Sequence, residues 1–443
     1  MLAMSESRCC VETDQRRETG DGETGEMTCN LPKPRTPVVV SRSASRRRWM
    51  FRVLAVAAAS TTALILAEMT LRSFVPDTRS PYIYDEFTGT RLQPGHQFVF
   101  RSEGYSFNLI NSHGLRDREH SLEKPADTFR IAILGDSFSE AFQVSQDETF
   151  WAVLERELQA MPKFPNQTVE VINFGVSGFG TIQEWQMLEH YARDYSPDLV
   201  LLAFLPGNDV RNNSRQLESD HRRPFARLND EELQLDVSFR DDPIEKRFRE
   251  LTWSACKDQA IRRSRVVHLI YRALEDLRAR NEIGASFGAD ERGIDSTVFA
   301  PPINAAWKEA WQITDRVLEV IQKDCRKMRA KFVVVILNNS VEVHPDPDVT
   351  ASLAMKLGVS DLEEPQRQLT ASGERYGFPV IRLLERMRDI AHRDKVCFHG
   401  FPNASPCAGH WNELGHEAAG KLIAKDLAEL LKGKWLGKGV RNQ

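Results

Sequence analysis

The chain has 443 residues, of which 41% are hydrophobic and 28% charged, with a formal net charge of −4. That is ordinary globular composition, which excludes a fibrous or wholly disordered chain, and a mean hydropathy of −0.43 excludes a polytopic membrane protein. The small net charge gives no reason to expect nucleic acid as a partner. Seven cysteines in this length do not make a disulfide scaffold.

Residues 1–48 carry no apolar period and include Pro32, Pro34 and Pro37. Such a stretch buries too little apolar surface to offset its ordering entropy, and a disordered tail is expected. From Trp49 to Glu68 the chain is apolar, with an uncharged run over Val53–Ala67. Its length approaches the ~20 residues that span a bilayer. Upstream lie Lys33, Arg35, Arg42, Arg46, Arg47, Arg48 and Arg52 with no acid among them. Three readings are open. One is an uncleaved anchor over 49–68. Another is a cleaved export signal, since Ser45–Phe51 loosely resembles a twin-arginine signal, though no small-residue cleavage site follows Ala67. The third is a buried core helix, against which the arginine cluster argues. The anchor is the reading adopted. By the positive-inside rule, the tail is then cytoplasmic. The rest of the chain lies on the periplasmic or extracytoplasmic side of a cytoplasmic (inner) membrane.

Residues 69–127 read as an extended, loop-rich lead-in, with turn signals at Thr88-Gly89, Pro94-Gly95 and His113-Gly114. From residue 128 to 436 the pattern is that of one domain. Phe129–Leu134, Val169–Asn173, Leu199–Leu205, Phe332–Leu337 and Phe378–Ile381 are short apolar runs suited to buried parallel strands. Helical periods fall between them, at Phe150–Leu158, Ile182–Ala192, Trp307–Ile321 and Glu413–Leu431. Residues 210–300 are charged and irregular, with a helix expected around Val266–Leu277, and read as an insertion packed on the core. Strands alternating with helices predict an α/β fold, a three-layer sandwich with a mainly parallel sheet, preceded by one transmembrane helix.

Three polar, glycine-bearing loops follow three of the expected strands, where open α/β sheets place their sites. They are Gly135-Asp136-Ser137-Phe138-Ser139, Asn173–Thr181 with Gly178 inside it, and Pro206-Gly207-Asn208-Asp209. A fourth block, Gly409-His410-Trp411-Asn412-Glu413-Leu414-Gly415-His416, lies near the C-terminus. The order Ser, Gly, Asn, His resembles the SGNH (GDSL-like) hydrolase superfamily over about Asn111–Leu431. The layout is similar to its membrane-anchored bacterial members, several of which modify exported polysaccharides. The resemblance implies an SGNH or flavodoxin-like fold and a serine esterase acting on O-acyl or O-acetyl groups, without a cofactor.

Each residue also has a physical reading of its own. A serine hydroxyl is inert until a base takes its proton. Ser137 would be the nucleophile and His410 the base. Ser137 opens a helix whose N-terminus favours developing negative charge. Gly178 lets a backbone N–H approach an oxyanion, and Asn208 offers a side-chain N–H. The bland readings are a helix cap for Ser137, a turn glycine at 178, a capping Asn208 and a structural His410. Asp136, Asp209, Asn412 and His416 are supporting candidates. The first two would hold their loops through backbone N–H groups, and His416 would pack within a helix.

The superfamily places an Asp two or three residues before the base histidine. Ala408 and Cys407 stand there instead. Three explanations are weighed. A backbone carbonyl holds His410, which is the favoured one; an acid elsewhere, such as Asp394 or Glu413, takes over; or catalysis is lost. Cys9, Cys10 and Cys29 fall on the cytoplasmic side, and Cys256, Cys325, Cys397 and Cys407 on the other. Cys397 and Cys407 bracket the loop carrying His410, so a disulfide there would stiffen the base. The Cys/His spacing nearby is too irregular for a metal. The expected function is an esterase for an ester-bearing small molecule or polysaccharide. The rivals are an O-acyltransferase using the same residues and an inactive carbohydrate-binding protein.

Overall fold

The computed structural model describes residues 42–74, 79–161, 167–230, 232–241, 260, 263–282 and 295–432. Most of the expected tail, Cys256 and part of the insertion lie outside them. The chain divides into two units, Met1–Thr62 and Ala63–Gln443. The described part of the first is helical. It belongs to α1 (Arg42–Phe74), which is longer at both ends than the expected 49–68. The stretch Arg46–Phe74, 29 residues of mean hydropathy 1.8, is long and apolar enough to cross a membrane, and none of it is buried. At ~1.5 Å per residue it outspans a ~30 Å hydrocarbon core.

The lead-in differs from a loose extension. It folds into two antiparallel hairpins, β1 (Tyr82–Asp85) with β2 (Gly89–Leu92) and β3 (Gln97–Phe100) with β4 (Ser106–Leu109). Leu92, Phe98, Ile110 and Leu115 enter the main core. Arg116 staples the lead-in to the domain. Its buried guanidinium donates from Nε to Asn108 Oδ1 (2.6 Å), from Nη1 to Glu140 O (2.9 Å) and from Nη2 to Val144 O (2.6 Å).

The apolar runs become a parallel sheet. Its strands are β5 (Thr128–Gly135), β6 (Thr168–Asn173) and β7 (Leu199–Phe204). After an insertion hairpin of β8 (Phe225–Asn229) and β9 (Glu232–Asp236) come β10 (Lys331–Ile336) and β11 (Val380–Arg382). The spatial order is β11-β10-β7-β5-β6, with every pair parallel. β7 lies in the middle and is buried throughout, which is why it reads as an unbroken apolar run rather than an alternating one.

The helices are α2 (Ser137–Glu140), α3 (Phe150–Gln159), α4 (Thr181–His190), α5 (Pro206–Asn212), α6 (Arg265–Glu282), α7 (Ala305–Lys327), α8 (Pro347–Leu357), α9 (Glu364–Tyr376), α10 (Leu384–Asp394) and α11 (Glu413–Lys432). Alternate strand residues feed two cores. Ile131, Ile133, Leu201 and Val335 pack with α3, α10 and α11. Ala132, Leu134, Leu202 and Val334 pack with α4, α7 and α9. The result is a sheet between two helical layers. In this doubly wound order the chain reverses direction of travel between β5 and β7, and ligands in such folds bind beyond the carboxyl ends of the strands at that point.

Candidate active site

All four sequence blocks converge on that edge of the sheet. Ser137 lies two residues after the end of β5, and Asp136 between them caps the turn it opens, its Oδ1 accepting from Phe138 N at 3.0 Å. The helix beginning there is a single turn of four residues. Its macrodipole is small, so individual N–H groups, not a helix field, must act on developing charge. Gly175 permits the close packing behind this turn: a Cβ there would stand 2.4 Å from Ser139 Cβ.

His410 comes from the loop before α11. Its Nε2 lies 2.9 Å from Ser137 Oγ. Its Nδ1 lies 2.6 Å from Glu103 Oε2, and its backbone N donates to Glu103 Oε1 at 2.7 Å. An ionised carboxylate only accepts, so Nδ1 carries the hydrogen and Nε2 is left to accept the serine proton. Burial raises the Glu103 carboxyl, but the hydrogen bonds and charge of His410 outweigh it, and the group stays below the ordinary carboxylate range. This corrects the favoured expectation, since the histidine is not held by a backbone carbonyl. An acid elsewhere in the chain takes over, the second explanation, but it is neither Asp394 nor Glu413. A residue of the lead-in does it, at the tip of the β3–β4 hairpin, 307 positions away in sequence.

The hairpin tip and the histidine loop are tied to one another. Asn403 donates from Nδ2 to Arg101 O (3.1 Å) and Gly104 O (2.8 Å), and accepts from Gly104 N (2.9 Å). Cys397 and Cys407 are joined by a disulfide that brackets the loop. Asn412 closes its far side, donating to Cys397 O at 2.9 Å and accepting from Gly415 N at 3.1 Å. Asn412 thus shapes the loop. His416 is buried, accepts from Phe150 N at 3.2 Å and stacks on Phe150. Burial drives it down to about 3, so it stays neutral and structural.

The candidate oxyanion donors are linked by one asparagine that sequence reasoning did not single out. Asn208 donates from Nδ2 to Asp136 Oδ2 at 2.7 Å. Asn212, one turn later on α5, donates from Nδ2 to Asn208 Oδ1 (2.8 Å) and to Gly178 O (3.0 Å). These bonds fix which way the Asn208 amide faces, and its second N–H has no hydrogen-bond partner among the described residues. Gly178 takes φ +76°, a left-handed value that suits glycine. Asp209 accepts from Leu205 N at 2.9 Å and holds the α5 turn. Burial, and then the neighbouring Glu184 carboxyl, raises it well above the ordinary range. Glu140, at the end of α2, is also fully buried. It accepts from Tyr82 Oη (2.8 Å) and Ser177 N (3.1 Å), and burial pushes it up to about 8.

Among the described residues no group of three or more His, Cys, Asp or Glu is placed to hold a metal ion. No family model and no curated protein matches the chain. Similar solved structures include the lipase/acylhydrolase from Enterococcus faecalis, at 14% identity over 68% of this chain and 95% of that one, TM-score 0.34. An acetyl xylan esterase is similar at 10% identity over 68% and 99%, TM-score 0.35. A third is a catalytic mutant of an acetylxylan esterase from Geobacillus stearothermophilus, at 10% identity over 71% and 97%, TM-score 0.33.

Proposed function

We propose that this chain is a serine esterase of SGNH type. The observation that carries the reading is the unbroken file Glu103–His410–Ser137, with contacts of 2.6 and 2.9 Å. In it, a nucleophile, a base and an orienting acid stand in the roles that acyl transfer requires. Ser137 Oγ attacks the ester carbonyl while His410 Nε2 takes its proton. The N–H groups of Ser137 and Gly178 and the free amide N–H of Asn208 receive the oxyanion. Collapse expels the alcohol, which takes the proton back from Nε2. Water then attacks the acyl-serine with His410 again as base, and the carboxylic acid leaves. Glu103 keeps the imidazole in one tautomer and offsets its transient positive charge. The expected substrate is an O-acyl ester, with O-acetylated exported carbohydrate the class implied by the resemblance of the four blocks. The α1 helix would anchor the enzyme in the cytoplasmic membrane with its catalytic domain outside.

Treating the full-length chain in detergent micelles with a fluorophosphonate tests this reading. The expected result is one covalent adduct on Ser137, absent from Ser137→Ala, together with turnover of p-nitrophenyl acetate. An unlabelled Ser137 in the folded protein overturns it. Preferential delivery of the acetyl group to an oligosaccharide hydroxyl over water would make the enzyme a transferase.

A further inference from the structure

Arg223 belongs to the insertion, just before β8, yet its guanidinium reaches the second block of the site. Nη1 donates to Gly178 O at 2.8 Å and to Gln183 Oε1 at 3.1 Å. These two bonds hold one side of the fork against the oxyanion loop. The other side is a different matter. Nε is buried without a hydrogen-bond partner, and Nη2 has none among the described residues. Nε–H and one N–H of Nη2 run parallel along a single edge, which is the edge that binds a carboxylate or phosphate bidentately. A buried donor left unpaired is costly, so an idle edge next to a reactive centre implies a group that arrives to fill it.

The surroundings agree. A Cβ placed on Gly178 would meet only Arg223 Nη2, at 4.0 Å, so the space beside the oxyanion loop is open and Arg223 forms its wall. The nearest carboxylate, that of Glu218, is 3.9 Å from Nη1, on the occupied side, and is already paired with Arg211 at 3.0 Å. Asp220 is paired with Arg222 at 2.9 Å. Three guanidiniums, those of Arg211, Arg222 and Arg223, thus face two carboxylates, which leaves one positive charge in excess.

We propose that the free edge of Arg223 is a receptor for an oxyanion carried by the ester substrate, a carboxylate or a phosphate borne close to the scissile carbonyl. The inference deepens the esterase reading and rests on it for the identity of the bound molecule. It assigns the insertion a part in substrate choice: neutral esters are accepted, and anionic ones are preferred.

Non-reacting amides separate this role from simple bracing of Gly178. Calorimetric titration of the full-length chain in micelles would use 4-acetamidobenzoate, 4-acetamidophenyl phosphate and the neutral 4-acetamidobenzamide. The parent should bind at least one anionic probe about tenfold or more tighter than the neutral amide, the scale of a charge-assisted pair. Whichever anion binds tighter identifies the group. Arg223→Gln should erase the preference and Arg223→Lys keep part of it, while the neutral probe reports that each variant is folded. Absence of a preference in the parent, or its survival in Arg223→Gln, overturns the proposal. The amides need no chemistry at Ser137. An anion preference in a protein that fluorophosphonate never labels would therefore sink the esterase reading and leave the receptor standing.

Discussion

Glu103 owes its importance to a proton it does not move. Hydrogen-bonded to His410 Nδ1, it decides which imidazole nitrogen faces Ser137. A glutamine there keeps the shape, but its amide can turn an N–H towards Nδ1 and favour the wrong tautomer. Glu103→Gln is expected to lower kcat/KM by about 10²–10⁴, the range seen when triad acids are neutralised, with most of the loss in kcat. Steady-state kinetics on p-nitrophenyl acetate checks it, and activity within fivefold of the parent would return His410 to the status of half of a dyad. The other four members of the candidate site, Ser137, Gly178, Asn208 and His410, were legible because each lies in its own glycine-bearing loop word. Glu103 was not. Its local text, Arg101-Ser102-Glu103-Gly104-Tyr105, is an ordinary hairpin tip in which Gly104 takes φ +75°, and nothing near it in sequence points to a histidine 307 residues on. The two positions where the resemblance implies an acid, Ala408 and Cys407, reported only that something was missing.

At the level of elements, the parallel strands could be read because burial on both faces writes them as continuous apolar runs, as in Leu199–Phe204. The lead-in hairpins were hidden because their strands are only four residues long and half-exposed, as at Ser106–Leu109, so the pattern looked like loop. α5 was hidden in a third way. The text after Pro206 gives Asn208 a role, but only the helical turn brings Asn212 beneath it, where one amide grips both Asn208 and Gly178. That grip predicts a specific defect. Asn212→Ala frees the Asn208 amide to rotate and loosens Gly178, so kcat should fall about tenfold or more, short of the ~10²–10³ of losing an oxyanion donor outright. KM should scarcely change. In an Asn208→Ala background the same substitution should cost much less, since its main target is gone. Fully additive losses would show that Asn212 acts on stability alone, and melting curves of the four proteins would record it.

For the whole molecule, buried acids and two of the buried histidines pull stability in opposite directions with pH. His399 and His416 are held by burial at about 3, far below their ordinary value. Their depressed values penalise the fold at low pH, where the unfolded chain takes up protons that the buried rings refuse; the penalty shrinks as pH rises through about 6.5 and is gone above it. Glu140 is raised by burial to about 8 and Glu342 to about 7, with Asp136, Glu184 and Asp209 also raised. A raised carboxyl keeps its proton in the folded chain after the unfolded chain has lost it. Its contribution is therefore complete at low pH and shrinks as pH climbs from the unfolded value to the folded one. Between pH 6.5 and 8 the two histidines are silent while Glu140 still titrates, so the protein should lose stability across that window. Glu140→Gln removes one proton from the balance. The slope should flatten by up to about 1.4 kcal/mol per pH unit. Its side-chain oxygen can still accept from Ser177 N, and its NH₂ can donate to the Tyr82 hydroxyl. Denaturant unfolding of parent and variant in micelles at pH 6.5 and 8 gives the comparison. Equal slopes in the two proteins would mean that Glu140 is ionised in the fold at neutral pH, with Arg116 as its buried counter-charge.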